Sequence, residues 1–228
     1  AEFKKHIIAK AFNRFKTKES DGEFETFCRF NSYWLDDYAL FTSLSELYNF
    51  KSWDNWEENY RDRQAKALAE FNERFADQIL LEKFSQYIFQ KQFLALKQYC
   101  NQKGIQIIGD IPIYVDFNCA DVWANSELFK LDADKRPTAV AGVPPDYFSK
   151  TGQRWGNPVY NWAKLKETGY DWWIKRMGHM LLMYDWIRID HFRGLVGYWE
   201  VPAHETTAIN GKWVDGPGAD FLIQLLRK

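Results

Sequence analysis

The chain of 228 residues is long enough to bury a sizeable core, as one large domain or two small ones. Its 11 Trp, 12 Tyr and 18 Phe, set against only 13 Gly and 7 Pro, exclude disordered, collagen-like and low-complexity classes. Lys and Arg (30) balance Asp and Glu (31), so the net charge of -1 supplies no basic field to draw in phosphates, and nucleic acid is not an expected partner.

The opening AEFKKHIIAK is charged and lacks the apolar run and small-residue cleavage site of a signal peptide. No window nears the roughly eighteen apolar residues of a membrane span, so the expectation is a soluble, cytoplasmic protein without a membrane partner. Residues 1 to 103 hold a single Gly, Gly22, and no Pro, which favours long helices. Asp54 followed by Glu57 predicts a helix start. Between 84 and 99, the residues Phe84, Tyr87, Ile88, Leu94, Ala95 and Tyr99 share a helical arc of about 140°, so one face is expected to be buried. Gly104 supplies a stop, and IQIIGDIPIYV (105–115) reads as a strand covered on both faces.

Five of the seven prolines lie between Pro112 and Pro158, a stretch expected to form structured loops near strand ends. From Asp171, the residues Trp173, Met177, Met180, Leu181 and Tyr184 again share one helical arc, and WIRIDHF (186–192) follows as a short buried strand. Each helix-to-strand unit thus delivers an aspartate at or near the carboxyl end of its strand, Asp110 and then Asp190. In parallel α/β architectures that end carries the chemistry. Two strands neither close a barrel nor make a stable sheet alone.

In RIDHFRG (188–194), Arg188 and Asp190 stand two apart on a strand and leave the same face. A cation there favours an ionised Asp190, available as nucleophile or charge stabiliser. A buried ion pair that merely fixes the strand has the same sequence. Eight of the eleven tryptophans lie in the second half. Trp172, Trp173 and Trp186 sit on helix or strand positions suited to packing. Trp123 in ADVWAN and Trp155 in GQRWGNP stand among turn residues, where a flat ring can stack on a pyranose while polar neighbours bond its hydroxyls.

No P-loop, dinucleotide fingerprint or HExxH is present, and His6, His179, His191 and His204 are too scattered for a metal site, so no cofactor and no metal are expected. His6 and His179 read as helix residues, while His191, beside Asp190, is a candidate donor to substrate hydroxyls. Cys28, Cys100 and Cys119 form no CxxC pair and read as reduced thiols, with Cys119 packed rather than reactive.

The segments GDIPIYV (109–115), ADVWANSELF (120–129), VAGVPPDYFSKTGQRWGNPVYNW (140–162), RIDHFRG (188–194), YWEVPA (198–203) and NGKWVDGPG (210–218) together resemble the 4-α-glucanotransferases called amylomaltase or disproportionating enzyme, relatives of the α-amylase clan. WLDDYALF (34–41) and QKQFLALKQYC extend the resemblance over nearly the whole chain. It implies an α/β fold, a portion of a (β/α)8 barrel with helical and loop insertions. Residues 1–103 would be a mainly helical insertion of the catalytic domain, and residues 104–228 a partial barrel with the substrate-cleft loops.

The resemblance further implies an α-1,4-glucan or maltooligosaccharide substrate and a retaining double displacement. Asp190 matches the family nucleophile, Arg188 the arginine that positions it, and Asp110 the clan's first strand-end aspartate. Asp146, Tyr147, Phe148, Ser149, Trp155 and Asn157 match a loop that covers the bound glucan on its acceptor side. Tyr114, Asp121, Trp123 and His191 match positions assigned to the substrate cleft. The family's general-acid glutamate follows the GPG segment on a later strand, so the chain reads as an internal fragment that carries the nucleophile and lacks the acid. Nothing in the spacing of Glu200 or Glu205 sets either opposite Asp190. A non-catalytic α-glucan-binding fragment and an α-amylase-like hydrolase are the alternatives.

Overall fold

The computed structural model describes residues 2–17 and 22–227, which fall into two compact units, 1–96 and 97–228. This boundary lies inside a helix, ahead of the Gly104 boundary expected from the sequence.

The first unit is helical: α1 (Glu2–Lys16), α2 (Glu23–Leu47), α3 (Glu58–Arg61), α4 (Ala65–Arg74) and most of α5 (Ala76–Gln102). One buried cluster joins Phe12 of α1, Phe24 of α2 and Phe84 and Tyr87 of α5, with Phe15, Phe27 and Ile88 packed around it. Ring centroids stand 4.9 to 6.3 Å apart in tilted and edge-on pairs, the arrangement the ring quadrupole favours. The predicted α5 stripe therefore holds at Phe84, Tyr87 and Ile88. It fails at Leu94, Ala95 and Tyr99, which are exposed, because the rings from α1 and α2 reach only as far as Ile88.

The Asp54 helix start is also corrected. Trp53 is fully buried in a 3-10 turn, Trp53–Asn55, that holds Asp54 inside it, and α3 begins only after Glu57. Ring burial decided the backbone there, overriding a local capping preference.

In the second unit, α5 ends as predicted. Gly104 is left-handed (φ 75°), its N–H donates to Asn101 O and that of Ile105 to Cys100 O, the paired bonds of a Schellman ending. Then come β1 (Ile108–Pro112), α6 (Ala120–Ala124), β2 (Ala139–Val143), β3 (Gln153–Pro158), α7 (Trp162–Glu167), α8 (Asp171–Met183), β4 (Trp186–Asp190), β5 (Gly197–Pro202), β6 (Lys212–Asp215) and α9 (Gly218–Leu226). β1 and β4 pair in parallel, with Asp110 opposite Arg188 and Pro112 opposite Asp190. The other four strands form an antiparallel sheet in the order β3-β2-β5-β6. Among the described residues no helix is long and apolar enough to cross a membrane.

Three expectations change here. β1 is shorter than its apolar run, and both strands alternate: β1 buries Gly109 and Ile111 and β4 half-buries Ile187 and Ile189, while Ile108, Asp110, Pro112 and Trp186, Arg188, Asp190 are exposed on the other face. Trp186, expected in the core, is 59% exposed, its Nε1 donating to Gln106 Oε1. The stretch from Pro112 to Pro158 holds no long helix, yet it is not all loop, since β2 and β3 lie within it and pair. Their core of Val140, Val201 and Ala208 is completed by β5 from a distant part of the chain, which local patterning could not reveal.

The parallel pair is held in register at its start by Asp185, which accepts from Ile107 N (2.8 Å) and Asn101 Nδ2 (2.9 Å) and pairs with Lys97 Nζ at 3.6 Å. The Ile107 N–H, then Asn101, then the Lys97 charge hold this carboxyl below the usual range against the opposing effect of desolvation. A depressed carboxyl contributes stability above its unfolded pKa and loses it as pH falls through the folded one. In the Asp185→Asn variant, the loss of stability on acidification below about pH 4 is expected to be shallower than in the wild type, measured by urea unfolding across that range. Phe84→Ala, which empties the centre of the helical core, is expected to cost about 3–5 kcal/mol, read as a lower urea midpoint for the helical unit.

Candidate active site

Three charged side chains occupy the exposed face of the parallel pair. Arg188 donates from Nε to Asp110 Oδ1 (2.9 Å) and from Nη2 to Asp110 Oδ2 (2.5 Å), a two-pronged bond across the ladder that its register permits. The guanidinium bonds hold the Asp110 carboxyl below its usual range. Asp190, the last residue of β4, lies 3.9 Å from Arg188 Nη2. Arg188 and Asp190 thus share a face as the i, i+2 spacing predicts, but the arginine commits its fork to Asp110 and offers Asp190 only a longer contact. Among the described residues, no hydrogen bond holds the Asp190 carboxylate, so the backbone places it.

That backbone turns sharply. His191 is left-handed (φ 52°) and starts the 3-10 turn Phe192–Leu195. Its ring meets Trp155 of β3 edge-on, centroids 4.8 Å apart, and burial pulls the imidazole below its ordinary pKa. Gly194 leaves room beneath it, for a Cβ there would lie 3.2 Å from His191 Cδ2 and 2.8 Å from Ile113 Cδ1. Trp155 is part-exposed, and Tyr114 stands 6.4 Å from it while stacking on Tyr160 at 5.8 Å. Tyr114 is itself buried, so it backs the site rather than lining an open cleft.

The turn between β2 and β3 projects Tyr147 (97% exposed) and Phe148 (91% exposed). Asp146 organises it, its Oδ1 accepting from Phe148 N (2.9 Å) and Ser149 N (2.8 Å), while Ser149 Oγ donates to Gly152 O (2.7 Å). Gly152 is left-handed (φ 67°) and packs against Val143 O and Ala208, leaving no space for a Cβ. Asn157 Nδ2 donates to Val115 O (2.9 Å), tying β3 to the chain beyond β1. Asp146, Ser149 and Asn157 therefore act on the backbone of the loops.

One expectation changes at α6. Trp123 is 1% exposed within α6 and presents no free face to a sugar, which corrects the stacking role expected for it. Asp121, on the same short helix, accepts from Trp172 Nε1 (3.2 Å). Glu200 sits buried in β5 between the ammonium groups of Lys130 and Lys212, with Tyr198 Oη at 3.4 Å, a setting unsuited to delivering a proton to substrate. Glu205 accepts from Asn210 Nδ2. The three cysteines are free, and burial pushes the Cys119 thiol up to about 12, so it is packed and inert as expected. Arg193, which stacks over Trp213 at 4.1 Å, was not singled out from the sequence. Only proximity in space identifies that pair.

Comparison with known proteins agrees with these motifs. The family profile described as 4-alpha-glucanotransferase matches residues 1–228. The 4-alpha-glucanotransferase of Aquifex aeolicus is 46% identical over 99% of this chain and 46% of its own length. That of Thermus thermophilus is 46% identical over 92% of this chain and 43% of its own. The chloroplastic or amyloplastic enzyme of Solanum tuberosum is 40% identical over the whole chain and 40% of its own. The structure of the amylomaltase of Streptococcus agalactiae in complex with acarbose superposes with a TM-score of 0.94 at 40% identity, over 99% of this chain and 46% of that one. The chain thus spans somewhat under half the length of these relatives, and with its whole sequence inside the family profile it belongs to the 4-alpha-glucanotransferase family.

Proposed function

We propose that this chain is the nucleophile-bearing part of a 4-α-glucanotransferase that moves segments of α-1,4-glucan onto an acceptor glucose or glucan by retaining double displacement. The observation that carries this reading is Asp190 at the carboxyl end of a parallel strand, beside the Arg188–Asp110 pair on one open face. In this reading β1 and β4 are strands of a (β/α)8 barrel, and residues 1–103 are a helical insertion in its catalytic domain.

In the first step an Asp190 oxygen attacks the anomeric carbon, and the glycosidic C–O bond breaks with its electron pair going to the leaving oxygen. That oxygen takes a proton from a second carboxyl about 5 to 5.5 Å from the first. In the second step an acceptor 4-hydroxyl attacks the same carbon, gives its proton back to that carboxyl and releases Asp190. Glu200 is ion-paired and buried, and the family resemblance assigns the second carboxyl to a glutamate on a strand after the GPG segment. Arg188 supplies fixed positive charge and locks Asp110 in line with the cleft. Trp155, Tyr147 and Phe148 offer rings to glucan, with His191 steadying Trp155. Rings that cover the glycosyl-enzyme would keep water from it and favour transfer over hydrolysis.

In the full-length enzyme, Asp190→Asn is expected to abolish glucose release from maltotriose while leaving the melting temperature unchanged, and retained release would sink the assignment. The 228 residues alone are expected to show background activity on maltotriose, whereas a product ladder would place the acid within them. Arg188→Lys, which cannot reproduce the fork, is expected to lower kcat about ten-fold or more, with the Asp110 carboxyl titrating closer to its ordinary value by NMR.

A further inference from the structure

The carboxylate of Asp190 has no hydrogen bond of its own among the described residues, so its aim depends on the backbone at the end of β4 and on the turn that follows, residues 191–196. Two of the contacts that fix this turn are steric. Gly194 packs under the His191 ring, and Gly216, just beyond β6, packs so closely on the turn that a Cβ there would come within 2.6 Å of Gly194 O. Gly216 N also donates to Val196 O (2.9 Å), so the segment after β6 is bonded to the end of the turn.

A further contact is made by side chains. The Arg193 guanidinium lies 4.1 Å from the centroid of the Trp213 ring on β6, and Trp213 meets Trp199 of β5 edge-on at 5.4 Å. Trp199 is anchored in turn, its Nε1 donating to Ala208 O (2.8 Å). A chain of contacts therefore runs from the antiparallel sheet through Trp199, Trp213 and Arg193 to the turn that carries Asp190. We propose that Arg193 and Trp213 are positioning residues for the Asp190 carboxylate, clasping the nucleophile turn to the rigid antiparallel sheet. This rests on the reading of Asp190 as nucleophile. Trp213 is 48% exposed and Arg193 is exposed, so neither is needed to fill the core.

Nucleophilic attack is steep in geometry, and a displacement of about 1 Å can cost roughly 100-fold. Trp155, Tyr147 and Phe148 lie on other segments, so loosening the clasp is expected to act on kcat before KM. The test is steady-state disproportionation of maltotriose by the full-length enzyme carrying Trp213→Leu, Trp213→Phe, Arg193→Gln or Arg193→Lys, with melting temperature measured for each. Trp213→Leu and Arg193→Gln are expected to lower kcat roughly ten- to hundred-fold with KM within about two-fold. Trp213→Phe and Arg193→Lys, which keep a cation over a ring, restore most of the rate.

A second readout uses an α-maltosyl fluoride donor, in which the C–F bond breaks as Asp190 bonds the anomeric carbon, and fluoride departs with the electron pair. Fluoride needs little protonation to leave, so its release follows attack by Asp190, and the same two variants are expected to slow it. A rise in KM at unchanged kcat would make the pair a substrate contact and overturn the proposal. So would wild-type kcat in Trp213→Leu alongside an inactive Asp190→Asn, which leaves the nucleophile reading standing. Transfer retained by Asp190→Asn would instead remove that reading and the clasp with it.

Discussion

The two-pronged bond between Arg188 and Asp110 crosses the parallel ladder at the one register that sets the two side chains side by side. As an exposed ion pair it adds little to stability. Its importance is directional. A guanidinium held by both oxygens of one carboxylate cannot swing, so a fixed positive charge stands near Asp190 on the face where the strands end. That register depends in turn on Asp185, which ties the end of α5 and the residue before β1 to the entry of β4.

Much of the second unit is built on aromatic rings. Aromatic packing forms the support: Tyr160 is buried and donates its hydroxyl to Ile113 O (2.6 Å), with Trp173, Trp162 and Phe129 around its ring. Tyr114 joins this packing and is buried, Trp155 beside it is part-exposed, and Tyr147 and Phe148 stand open on the β2–β3 turn. The same residue class thus supplies both the rigid base and the accessible faces, and burial separates the two uses. His191 joins them, with one neighbour the nucleophile candidate and the other the Trp155 ring.

Part of the candidate site's geometry was legible because its spacing is local. The i, i+2 relation of Arg188 and Asp190 follows from strand geometry alone, and the glycine ending of α5 from its helical pattern. The turn carrying Tyr147 and Phe148 was recognisable through its motif. What escaped was set by partners far along the chain. Arg188 turned to Asp110, Trp123 went into the core, and the Gly- and Pro-rich segments flanking Trp155 and Glu200 became strands because each found another to pair with.

The sequence by itself determined the helical first unit, the two helix-to-strand passages and the identity of the residues gathered at Asp190, because each depends on periodicity, caps or short motifs. Tertiary structure alone decided which carboxylate Arg188 grips, which rings stay open, and how the turn after Asp190 is held by Gly216 and the Arg193–Trp213 stack. The physical reason is range. A side chain's local preference is set by neighbours within a turn or a strand, whereas its partner and its exposure are set by which distant segment packs against it.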